Sequence, residues 1–268
     1  PWCHPSVDPL FQSDISQTAS KRLSMQFRRR IGLVDPFVLM PSVSMPGSYK
    51  NPELVAEAPE NKEFLRSLGG SYNNIGILLR TRGDLDGALK NYRRHRDICQ
   101  ALHDSQPESQ RWRMSLSINH NNTALLLEAM GRLDDAIDHA RRSLAFRSGL
   151  VADDPENVEY LRKTADSREL LGSLLRRADR LDESLTEFGE CLDICEKLAR
   201  QDPTNFAWQN DLAAVKAQIA SSYRKIGKTV DAHAALQHAL DIRRRLHEKA
   251  PSDQRMMAAL GTTENDMA

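Results

Sequence analysis

Five prolines stand 48 residues apart: Pro59, Pro107, Pro155, Pro203 and Pro251. Nothing else in the sequence constrains the fold as tightly, because self-similarity at a fixed period of this size is the signature of stacked repeats. Other columns keep step with the prolines, and four units need no insertion or deletion. Five residues after each proline come Phe64, Trp112, Tyr160, Trp208 and Met256. A small-residue column runs through Gly76, Ala124, Gly172, Ala220 and Ala268, and a turn column through Gly83, Gly131, Asp179 and Gly227. A second small column holds Ala88, Ala136, Ser184 and Ala232. Two apolar columns close the unit, one at Ile98, Phe146, Ile194 and Ile242, the other at Leu102, Leu150, Leu198 and Leu246.

Within a unit the apolar spacing is helical. Phe64, Leu68, Ile75 and Leu79 form the core stripe expected of a first helix. Leu85, Leu89, Tyr92, Ile98 and Leu102 form that of a second, after the turn "RGDLD" at 82–86. Proline is tolerated in a first helical turn and not in a helix interior, so its column marks the joint between units. The glycine column supplies the break within a unit, where a left-handed residue costs least. Each helix then runs for about 20 residues, or about 30 Å. The aromatic after each joint is the expected first core anchor of the incoming helix. The small columns let helix backbones approach closely, and a hairpin that cannot bury both faces must stack on its neighbours. The expected fold is all-α: an α-solenoid of antiparallel helix pairs, with four full repeats and a fifth first helix. Repeats are expected at 59–106, 107–154, 155–202 and 203–250, with a partial one at 251–268, inside an array spanning 51–268.

The segments "YNNIGILL" (72–79) and "GALKNYRRH" (87–95), and in the third unit "LLGSLL" and "ESLTEF", resemble the tetratricopeptide repeat. The usual period of that repeat is 34, so 14 extra residues lengthen the helices here. HEAT and armadillo repeats, with periods of about 40–47, are the competing solenoids; the Gly and Ala columns favour the tetratricopeptide reading. "DPTNFAWQNDL" (202–212) is similar to a long-repeat bacterial subclass in which Asp-Pro-x-Asn-x-x-Trp joins successive units. The resemblance implies a noncatalytic scaffold for protein interaction, the interaction arm of a larger signalling protein whose effector domain would be a kinase, cyclase or similar. The alternative is a self-association module that brings such effectors together.

In arrays of that family the inner face of the curve is lined by the exposed side of every first helix. The positions this assigns to a bound peptide are Asn73, Asn74, Ile77 and Arg80 in unit one and Asn121, Asn122, Leu125 and Glu128 in unit two. Unit three contributes Asp166, Glu169, Ser173 and Arg177, and unit four Gln218, Ser221 and Arg224. Paired amides recur at the same two places, and amides can both donate to and accept from an extended backbone. The family's carboxylate clamp uses Lys and Asn in its first repeat and Lys and Arg in its third. Asp166 and Glu169 stand here instead, which turns the expectation away from chaperone tails and toward a partner with basic character.

Lys plus Arg and Asp plus Glu balance at 37 each, so the chain lacks the basic excess of a dedicated nucleic-acid binder. It has no apolar run of about 18 residues, so no membrane insertion is expected. Four cysteines in 268 residues are sparse for a disulfide scaffold and suit a reducing, cytoplasmic setting. His95 and Cys99, and Cys191 and Cys195, stand four apart on helices, a spacing open to metal. The two pairs are two repeats apart, roughly 20 Å by helix packing distances, so they cannot share an ion and are read as packing residues. No phosphate loop, metalloprotease motif or nucleophile elbow occurs, and neither an enzyme activity nor a cofactor is expected. Residues 1–50 break the period and read as a linker, or the tail of an upstream domain, with a short basic helix at "KRLSMQFRRRIG" (21–32). Beginning with Pro rather than Met, the sequence reads as a piece of a longer chain.

Overall fold

In a computed structural model of the chain, the structure describes residues 59–267, apart from the side chains of residues 59–61 and Phe64. The expected linker with its basic helix, Cys3 and His4, and the small-column position Ala268 all lie outside the described residues. Nine helices and no strands occur among the described residues: α1 Pro59–Thr81, α2 Leu85–Ser105, α3 Gln110–Ala129, α4 Leu133–Asp153, α5 Val158–Arg177, α6 Leu181–Gln201, α7 Phe206–Lys225, α8 Thr229–Lys249 and α9 Gln254–Met267. Successive elements pair as antiparallel hairpins, and the all-α stacked architecture is the one the period predicts.

The breakers act as their chemistry dictates. Each turn inside a pair carries one residue in the left-handed region: Gly83 (φ 82°), Gly131 (74°), Asp179 (61°) and Gly227 (77°). At the joints after α2, α4, α6 and α8 the proline sits in a short turn, and at two of them, Pro155 and Pro203, an asparagine two residues on opens the next helix. Asn157 accepts from the Tyr160 backbone N–H at 3.2 Å and Asn205 from that of Trp208 at 3.2 Å. The recurrent Asp-Pro-x-Asn is therefore a stop followed by an N-cap. Helix α1 differs in taking Pro59 as its first residue.

The second helix of each pair packs on the first helix of the next. In addition α1 touches α3 and α5 touches α7, with no comparable contact between successive second helices among the described residues, so the row bends with its first helices inside. The core is a chain of small clusters rather than one mass. Ala124, Ile137, Ala140 and Leu171 form one, and Phe188, Cys191, Cys195 and Val215 another.

The small column is matched to the residue it faces. A Cβ added at Gly76 would lie 2.4 Å from Tyr92 Cε1, and one at Gly172 2.9 Å from Phe188 Cε1. Where the small residue is alanine, the facing position shrinks: Ala124 packs with Ala140, and Ala220 with Leu236. Three of the four hairpins thus keep a similar combined volume at their closest approach and divide it differently, while Ala124 with Ala140 makes a smaller pair.

Two core expectations change. Ile75 is 44% exposed, although its equivalents Thr123, Leu171 and Ile219 are buried. Leu78 is 49% exposed, against buried Leu126, Leu174 and Ser222. In the later repeats a preceding second helix covers these positions, and none precedes α1 among the described residues. Of the aromatic anchors whose side chains are described, Trp112 is fully buried, and Tyr160 and Trp208 are half-buried. The Tyr160 hydroxyl explains its place, reaching the surface to donate to Gln110 Oε1 at 3.0 Å.

Candidate functional site: the inner face

The residues assigned to a bound peptide do line the first helices, but many already hold repeat to repeat. Asn122 Nδ2 donates to Asn73 Oδ1 at 2.8 Å, tying α3 to α1. Arg177 of α5 pairs with Glu128 of α3. Gln218 of α7 accepts from Arg176 at both its backbone and side-chain oxygens, at 3.0 and 2.6 Å. Arg224 repeats that reach one unit on, donating to the Asp266 carbonyl at 3.1 Å. Ile77 packs against the cluster of Ala88, Tyr92 and Leu126 rather than standing free. Leu125, Ser173 and Ser221 are half-buried. Arg80 is half-buried too, its Nε enclosed without a partner.

The amide left exposed is that of Asn74; Asn121 is half-buried, its Oδ1 enclosed and without a hydrogen-bond partner. Asp166 is exposed with Lys163 3.4 Å away. Burial, then the neighbouring carboxylates of Asp166 and Asp211, raises the pKa of Glu169 above the ordinary carboxylate value. Burial likewise raises that of Asp211.

Two cavities open between first helices. One, of about 250 Å³, lies between repeats one and two; Gly69, Gly70, Asn73, Asn74, Cys99 and Trp112 bound it, with Arg66 and Arg111 also in its lining. Both arginines bond Glu63, at 2.6 and 3.1 Å. The other, of about 30 Å³, lies between repeats three and four, bounded by Arg162, Asp166, Glu169, Cys195, Trp208 and Asp211. The lining positions of the two correspond at a shift of 96, from Arg66 and Arg162 to Trp112 and Trp208.

The family model described as tetratricopeptide repeat matches residues 68–108, 164–202 and 212–253. Those three stretches are tetratricopeptide repeats. The intervening unit at 107–154 is not matched beyond residue 108, yet α3 and α4 pack as the other pairs do. Among solved structures, BtubC (BKLC) from P. vanneervenii is similar with a TM-score of 0.56 and 18% identity over 79% of this chain and 82% of that one. The apo form of RapI is similar with a TM-score of 0.51 and 17% identity; the match covers 74% of this chain and 63% of RapI. At such identities the likeness is one of fold. Comparison with curated proteins finds no match.

Within the tetratricopeptide array the helical cysteines are buried. Burial pushes the Cys99 thiol up to about 12, and a hydrogen bond with Cys195, together with burial, raises that of Cys191. Burial brings His95 down to about 4. No group of three or more His, Cys, Asp or Glu among the described residues is placed to hold a metal ion. No helix among the described residues is long and apolar enough to cross a membrane.

The pattern missed in the sequence is an alternation of period 96. The column of Cys99 and Cys195 holds Arg147 and Arg243 in the other two repeats. A neighbouring column reads Asn119, Ser167, Val215 and Thr263, with Asn119 fully buried and bonded to the Tyr92 carbonyl at 2.8 Å. Comparing alternate units rather than adjacent ones would have exposed it.

Proposed function

We propose that the array at 51–268 is the interaction arm of a larger signalling protein, joined through 1–50 to what precedes it, and that it holds an extended segment of a protein partner along its inner face. The observation carrying this is the exposed amide of Asn74 in the lining of a cavity of about 250 Å³ on that face, with the unpartnered amide of Asn121 on the next first helix. Such amides offer donors and acceptors to a peptide backbone without choosing its side chains. Tetratricopeptide repeats as a class serve protein interaction, and the row presents its polar inner surface preformed, which limits the entropy lost on binding.

Affinity capture from the source cells, with the full chain as bait, tests this. Asn74→Ala with Asn121→Ala should remove the captured partner while helicity and mass stay unchanged. An identical partner set would refute the groove.

Self-association is the second reading. Ile75 and Leu78 are exposed where every equivalent is covered, and a second copy packed end-on would cover them. Light scattering should then show a mass that rises with concentration and falls back to the monomer with Leu78→Lys; a monomer at all concentrations removes this reading.

A further inference from the structure

The four stacking interfaces are alternately filled and open. At those after repeats two and four a guanidinium from the chain itself occupies the seam beneath the inner face. Arg147, 4% exposed, donates through Nη1 to the Lys163 carbonyl of the next first helix, and its Nε lies 3.4 Å from Ser117 Oγ. Arg243, 9% exposed, donates through Nη1 to the Ala259 carbonyl at 3.0 Å and to Thr263 Oγ1. Lys163 and Ala259 hold the same repeat position, so the two arginines make one contact, used twice. After repeats one and three the arginine position is Cys99 or Cys195, and there the two cavities open.

Their charges differ. The seam after repeat one has Arg66 and Arg111 sharing a single carboxylate, Glu63. The seam after repeat three has three carboxylates, Asp166, Glu169 and Asp211, and one arginine, Arg162, which stands 3.6 Å from Asp211. Its apolar lining, including Trp208 and Val215, suits the stem of a long cationic side chain.

We propose that the seam between repeats three and four receives an arginine side chain of the partner segment, which supplies from outside the guanidinium that Arg147 and Arg243 supply from within. This rests on the inner-face reading above and names the chemistry of its occupant. The carbonyl of Asp211 corresponds to those of Lys163 and Ala259, so the same planar fork can donate to it while the carboxylates neutralise the charge. Trp208 lines the seam, and an aromatic ring there can attract the cation. At about 30 Å³ the cavity has room for one or two waters. The entering group takes that space and shifts the Glu169 carboxylate. Arginine rather than lysine is specified because both internal occupants use a guanidinium. A partner segment rather than the free amino acid is specified because the seam opens on the face that carries the amides.

The test follows the Trp208 indole resonance of the full chain during titration with Nα-acetyl-arginine amide. Nα-acetyl-citrulline amide, of the same shape but neutral, Nα-acetyl-lysine amide and free arginine serve as comparisons. A saturable shift with the blocked arginine is expected, with binding about tenfold weaker after Asp211→Asn. Cys195→Arg, which installs the internal plug, should abolish the shift, and Cys99→Arg should leave it unchanged. If Cys195→Arg fails to fold, Glu169→Gln with Asp211→Asn replaces it. Equal shifts with citrulline or lysine, or none with arginine, overturn the proposal; equal affinity for free arginine overturns the peptide source. Arginine binding in a chain whose partner capture ignores Asn74 and Asn121 would leave the seam standing and sink the groove. Amide-dependent capture without arginine binding would do the reverse.

Discussion

Replacing Gly172 by alanine sets two effects of known size against each other. In an ordinary helix interior the change stabilises by about 0.5–1 kcal/mol, because glycine loses more conformational freedom on folding. Here the new methyl would stand 2.9 Å from Phe188 Cε1, 3.0 Å from Cδ1 and 3.1 Å from Cζ. Phe188 is fully buried, so its ring cannot swing clear. Overpacking of this kind costs about 1–3 kcal/mol. The net runs from about zero to a loss of about 2.5 kcal/mol, which lowers the melting temperature of an array this size by up to roughly 10 °C. In a Phe188→Leu background the same substitution recreates the Ala220–Leu236 pair of repeat four, the clash vanishes, and the helix gain of up to about 1 kcal/mol returns. Thermal melts of the four proteins, followed by circular dichroism, form a double-mutant cycle whose prediction is a change of sign. Gly172→Ala stabilising equally in both backgrounds would refute the volume-sharing argument.

Asp179 is the one non-glycine in the left-handed turn column (φ 61°), so Asp179→Gly should raise stability by about 0.5–1 kcal/mol, read as a higher melting temperature. Acid should weaken the fold before the carboxylates titrate. Burial holds His95 and His120 at about 4 against an ordinary 6.5, and His120 is further opposed by His139 and Arg142. The unfolded chain therefore takes up these protons first, and stability present above pH 6.5 falls as pH drops toward 4, by roughly 2 kcal/mol for each group at pH 5. Urea midpoints at pH 7.5 and 5 measure this, and His120→Leu should reduce the slope. Arg147→Met should stay within about 1 kcal/mol of the parent in melting experiments, whereas Arg147→Ala, which leaves a hole and an abandoned carbonyl, should cost about 2–4 kcal/mol.

The fold was legible because its breakers are covalent facts. A proline every 48 residues and a left-handed position between helices leave few ways to continue the chain, and Asp179 could be read into the turn column from spacing alone. Ile75 shows where periodicity stops informing: its register agrees with Leu171 and Ile219, but exposure depends on what lies beside the helix, which no column records. The inner face was legible as a location and not as a network. Asn122 and Asn73 stand 49 residues apart, a diagonal rather than a column, so alignment by repeat could not pair them. Nor could it pair Arg177 with Glu128, also offset by 49. The alternation of cysteine with arginine was present in the sequence, hidden by a search tuned to a single period.

Removing residues 155–202 from the full chain deletes one period and joins Asp154 to Pro203 in a phase the neighbouring repeats already use. Far-ultraviolet circular dichroism of that shortened chain is the most direct test of the stacking. If each unit leans only on the next, the helical signal per residue equals that of the parent. A collapse of that signal would mean that distant parts of the chain hold one another up, and stacked 48-residue units would no longer describe the molecule.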